Sequence, residues 1–112
     1  MTDSAAPDVA VVVLSTVPDA AAGERLARIL VGERLAACVS RVPGVKSLFH
    51  WDGKVEEATE ELLVVKTHAA RAPELTRRLA EAHPYDVPEI LVLPVAAGLP
   101  GYLDWVRRET GG

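Results

Sequence analysis

The feature that most constrains this chain is an Asp-Gly pair, Asp52-Gly53, set between two long β-prone arms. Asp-Gly accepts the left-handed backbone of a two-residue turn, so between such arms it marks a β-hairpin. The first arm reads AACVSRVPGVKSLFHW and the second KVEEATEELLVVKT. Pro43 and Gly44 interrupt the first arm and predict a bulge or bend there. Glu56, Glu57, Glu60 and Glu61 crowd the second arm near the turn and read as a solvated face that discourages edge pairing. Leu62 to Val65 then return to a buried run. The hairpin base is therefore core, and its tip is wet or covered by another surface.

The segments on either side fix the rest of the order. Val9 to Ser15 (VAVVVLS) is β-branched without polar alternation, which predicts a central strand covered on both faces. Asp19 stands where a helix N-cap accepts a first-turn N–H. Leu26, Ile29 and Leu30 follow at helical spacing, with Arg25, Arg28 and Arg34 off the stripe. Arg71 to His83 predicts a second helix. Pro73 suits its first turn, Leu75, Leu79 and Ala82 form its apolar stripe, and Pro84 stops it. Glu89 to Val95 predicts a last strand whose Pro94 requires an edge or unpaired position. PGYLDWVRRET closes as a short helix with Leu103, Val106 and Trp105 facing inward.

The order is β-α-β-β-α-β plus a C-terminal helix. Two split βαβ units with right-handed crossovers give an α+β ferredoxin-like sandwich, one antiparallel sheet with both helices on one face. One short terminal helix does not cover the other face, so an oligomer is expected. Residues 1–7 are expected to be a mobile tail and residues 8–110 a single domain. The net charge of −4 argues against nucleic-acid binding. The lone Cys38 excludes an internal disulfide. No run approaches the ~18 apolar residues of a membrane span, and the N-terminus lacks the basic start of a signal peptide. The expectation is a cytoplasmic protein without a membrane partner.

Four stretches, AACV, the W-x-G-K tip, HPY-x-VPE and YLDW, resemble the CutA family of divalent-cation tolerance proteins. The likeness runs from Val11 to about Val106. It implies a fold similar to PII-type signalling proteins and a homotrimer with inward-facing sheets and exchanged hairpins. It also implies a response to, or binding of, copper or another divalent ion, and it carries over no catalytic residue. One departure is Leu99, where the family more often has Asn or Ser as a helix cap. The last helix is therefore expected to depend on packing between subunits.

Each residue with chemistry has two readings. Cys38 is a soft ligand suited to copper(I), or a small buried hydrophobe. His83 ends a helix, where the macrodipole favours its protonated form. It is a metal ligand, or a cap on a last-turn carbonyl. Lys66 ends an apolar strand and faces a cleft to bind an anion, or pairs with an acid, or reaches solvent. Tyr85 stacks on a ligand or fills the corner. Glu89 joins Lys66 and Tyr85 as a candidate for an inter-subunit cleft. Trp51 and Trp105 suit a trimer interface. No HxxH, CxxC or HExxH occurs, so a closed metal site within one chain is not expected. No nucleophile elbow, P-loop or dinucleotide fingerprint occurs either, so no enzyme is expected. The first functional reading is a trimeric metal-responsive protein with a site shared by subunits. The alternative is a PII-like small-molecule sensor or a trimeric scaffold.

Overall fold

A computed structural model describes residues 9–111; the tail expected over residues 1–7 lies outside them. The elements are β1 (Ala10–Val17), α1 (Ala20–Gly32), β2 (Cys38–Trp51), β3 (Lys54–His68), a 3-10 turn (Ala69–Arg71), α2 (Ala72–Ala82), β4 (Leu91–Pro94) and α3 (Pro100–Glu109). The sheet order is β2-β3-β1-β4 with antiparallel neighbours throughout. This is the ferredoxin-like arrangement that the sequence order predicts.

The local signals act as expected. The Asp19 side chain accepts the Ala22 N–H at 2.9 Å and starts α1. Asp52 and Gly53 both take positive φ, so the turn is of the type that matches strand twist. The ladder between β2 and β3 slips between Val42 and Val45, where Gly44 sits at φ +73°. Pro94 lies on β4, which pairs only with β1, so its missing N–H falls on an edge strand. β4 is shorter than the expected span from Glu89 to Val95, because its ladder begins only at Leu91.

Val11, Val13, Ser15 and Val17 of β1 and Leu63 and Val65 of β3 are buried. Leu26 and Leu30 of α1 and Leu75 and Leu79 of α2 pack with Val13, Val17, Leu63 and Val65 into one core. Residues of opposite parity form the second face. There Val12, Leu14 and Val64 are half-buried, and Val42, Leu91 and Leu93 are exposed at 42%, 54% and 42%. So β1 is covered on one face only in a single chain, not on both. α3 lies across one end of this second face, where the Thr110 hydroxyl and His68 Nδ1 are 2.6 Å apart. Trp105 stands at the surface beside Tyr102, with ring centroids 5.7 Å apart, and not in the core as expected. Val106 takes the buried place. Leu99 makes no side-chain cap, and its carbonyl alone serves the Tyr102 and Leu103 N–H groups.

From Lys46 to Thr59 no residue is buried. The hairpin root, by contrast, is clamped. Arg41 donates to both oxygens of the buried Glu61, at 2.6 and 3.3 Å, and to the Ala20 carbonyl at the start of α1. Glu60 is buried as well. The expected solvated acidic face is thus confined to Glu56 and Glu57, because the strand enters the core two residues before Leu62. Among the described residues no helix is long and apolar enough to cross a membrane.

Candidate functional site

The residues with chemistry fall at two separate places. The first is the corner from His83 to Ile90. His83 has extended backbone after α2, as the residue before a proline should. Its Nε2 lies 3.0 Å from the Thr16 carbonyl, which can only accept, so Nε2 carries the proton and donates. Its Nδ1 accepts the Tyr85 N–H at 3.1 Å. The ring is therefore held as the neutral tautomer with both nitrogens engaged. Burial pushes its pKa below the ordinary 6.5. The bond to the Thr16 carbonyl opposes this, Arg25 adds to it, and Glu60 opposes it. This reverses the expectation that the helix end favours the charged ring. The last-turn carbonyl of α2 is served instead by Arg25, which donates to the Ala82 oxygen at 3.1 Å.

Tyr85 lies beside the His83 ring, with centroids 5.0 Å apart. Its hydroxyl donates to Glu60 Oε2 at 2.7 Å. Burial first, then this bond and the Glu60 charge, push the phenol up to about 12. Glu60 was hidden from sequence reasoning inside an acidic run. Its only signal was its place next to Glu61, where the apolar strand begins. Glu89 is exposed and makes no hydrogen bond or ion pair among the described residues.

The second place is the uncovered sheet face. Cys38 and Lys66 are cross-strand partners there. Lys66 Nζ donates to Ser40 Oγ at 2.7 Å and to the Val64 carbonyl at 3.2 Å. Cys38 Sγ lies 4.0 Å from the same Ser40 oxygen. Tyr102 of α3 lies near Cys38. Its phenol is raised by partial burial, then by the Cys38 charge and a hydrogen bond with Cys38. Ser40 and Tyr102 carried no sequence signal, because their roles depend on strand register and on where α3 lies.

Cys38 and His83 are not brought together. Cys38 shares a sheet row with Val12, whereas His83 bonds Thr16, four residues or roughly 13 Å further along β1. Among the described residues no three His, Cys, Asp or Glu side chains cluster to hold a metal ion. The donors of one chain therefore do not fit a closed metal site. Trp51 stands 67% exposed beside the hairpin turn, remote from both places. A groove of about 530 Å³ runs between α1 and β2, lined by Glu24, Arg28, Val31, Val39 and Arg41 among others. Its arginines are already paired, Arg28 with Glu24 and Arg41 with Glu61.

Comparison with known proteins supplies what the geometry lacks. Residues 11–109 match a family model described as CutA1 divalent ion tolerance protein. A Thermus thermophilus protein named divalent-cation tolerance protein CutA is 51% identical over 100 residues, covering 89% of this chain and 97% of its own. A chloroplastic CutA of Arabidopsis thaliana is 45% identical over 100 residues, and the chain spans only 55% of its length. The crystal structure of CutA from Xylella fastidiosa superposes with a TM-score of 0.89 at 42% identity. That match covers 90% of this chain and 97% of the other.

Proposed function

The chain belongs to the CutA1 divalent ion tolerance family, and on that premise we propose that it works as a homotrimer that responds to, or binds, copper or another divalent cation between subunits. The observation that carries the assembly is the uncovered sheet face, with Val42, Leu91 and Leu93 exposed beside a hairpin whose Leu48, Trp51 and Val55 are also bare. Contiguous apolar surface of this kind marks an interaction site. Trp51 and Trp105 are the proposed interface aromatics. PII-type proteins are the proposed structural relatives, and the cytoplasm is the proposed compartment. The family is described by tolerance of an ion and not by a reaction, which supports a binding role over an enzyme.

Cys38 is the proposed metal ligand, and copies of it from neighbouring chains supply the donors that one chain lacks. His83 joins only by giving Nδ1 to the metal in place of the Tyr85 N–H. Titration calorimetry of copper(II), and of copper(I) under reducing conditions, tests this. Cys38→Ser should weaken binding more than His83→Ala, and equal affinity in all three proteins would remove both assignments.

A second reading is a PII-like small-molecule sensor, or a scaffold, whose ligand or partner sits in the inter-subunit cleft near Lys66, Tyr85 and Glu89. It is favoured by Lys66, an ammonium that among the described residues bonds a hydroxyl and a carbonyl and no acid.

A further inference from the structure

A half-buried ammonium on an apolar sheet face gains from an anionic partner, because part of its hydration is lost. Lys66 has none among the described residues. Of its three N–H donors, one is taken by Ser40 Oγ and one by the Val64 carbonyl, which leaves a third. Ser40 Oγ accepts from Lys66, and its own hydrogen can turn to Cys38 Sγ or to a ligand. Cys38 and Tyr102 stand beside them, the thiol against Ser40 Oγ and the phenol against Cys38. Every polar side chain of this cluster can donate a hydrogen bond and none is a carboxylate. Apolar Val12 and Leu93 continue the Cys38–Lys66 row on the far side.

We infer that Lys66 and Ser40, beside Cys38, form a binding site for a small oxyanion, a carboxylate or a phosphate, with Lys66 supplying the charge. The reasoning is chemical complementarity. A compact ammonium with a spare donor, beside a hydroxyl that can donate, suits a single anionic oxygen group. The inference deepens the sensor reading, because it names the ligand class of the inter-subunit cleft. It rests on that reading for the wall that would close over the cluster. In one chain Tyr102, in the first turn of α3, stands near Cys38 and against Trp105.

Titration calorimetry on the full chain tests it, with inorganic phosphate in one arm and citrate in the other, and light scattering on the same samples. Saturable binding of either anion to the native protein is expected, weakening as salt rises. The arm that binds identifies the source. Lys66→Met should lower affinity about tenfold or more, the loss of one charge-assisted hydrogen bond. Lys66→Arg should retain most of it. Met suits an apolar strand face, so that variant should still fold, and circular dichroism checks this. An oligomeric sample that binds neither anion overturns the site and leaves the assembly standing. A monomer that binds keeps the site and removes the assembly, while a monomer that does not bind removes both. Equal affinity in native protein and Lys66→Met also overturns the site. Copper binding undiminished in Lys66→Met separates this site from the metal reading.

Discussion

Gly23→Ala should destabilise this protein, against the usual rule for helices. Gly23 lies inside α1, where replacing glycine by alanine ordinarily gains about 1 kcal/mol. Here a Cβ would lie 2.9 Å from Glu61 Cδ and 3.3 Å from Arg41 Nε, closer still to the carboxylate oxygen. The carboxylate has little room to retreat. Glu61 is buried, and Arg41 holds both its oxygens while also bonding the Ala20 carbonyl. Forcing a methyl group into such packing costs about 1–3 kcal/mol, which offsets the helix gain of about 1 kcal/mol and leaves a net loss of up to about 2 kcal/mol. Urea denaturation at fixed protein concentration measures it, because assembly makes stability concentration-dependent. The pair Gly23→Ala and Glu61→Ala isolates the cause. With the carboxylate removed, Gly23→Ala should recover the ordinary stabilising sign. If Gly23→Ala stabilises the native background, the hairpin root is not clamped against α1 as described.

Other expectations follow from the same contacts. Ser15 Oγ is fully buried without a hydrogen-bond partner among the described residues, so Ser15→Ala should raise stability by about 1 kcal/mol, and a lower melting temperature would contradict this. His83 has a native pKa below its unfolded 6.5, so the unfolded chain takes up the proton first as pH falls. Its contribution is complete above about 6.5 and declines below that until the native ring also protonates. The slope of stability against pH in that acid window should flatten in His83→Gln, and an unchanged slope would place the dependence elsewhere. Tyr85 and Tyr102 both titrate above the ordinary 10, Tyr85 near 12. Absorbance of tyrosinate should therefore rise later in the native protein than in urea. Leu99→Ser should stabilise α3 by about 0.5–1 kcal/mol through a side-chain cap, read as a higher melting temperature.

The sequence made the topology legible because its signals are local. Asp19, Asp52-Gly53, Pro84 and Pro94 each dictate backbone within a few residues, and strand order follows from them by handedness. The acidic run was misjudged where burial changes along one strand. Glu57 and Glu61 are chemically alike, and only the distance from the core boundary separates them. His83 was visible as a residue but not as a state. Its tautomer is set by Thr16, far away in the chain, and by the Tyr85 N–H that the Pro84 corner turns back toward it. The Lys66 cluster was half legible, since a lysine closing an apolar run stands out. Ser40 and Tyr102 reach it only through the β2–β3 register and the path of α3, which no local pattern encodes. Cys38 and His83 were paired by chemistry alone, and the sheet holds them apart.

The central claim is that the uncovered sheet face and the bare hairpin are completed by further copies of the chain. Light scattering coupled to size-exclusion chromatography at micromolar concentration tests it most directly. The account predicts a mass of about 36 kDa, three times the 12.0 kDa chain. A single stable species of about 12 kDa would contradict it.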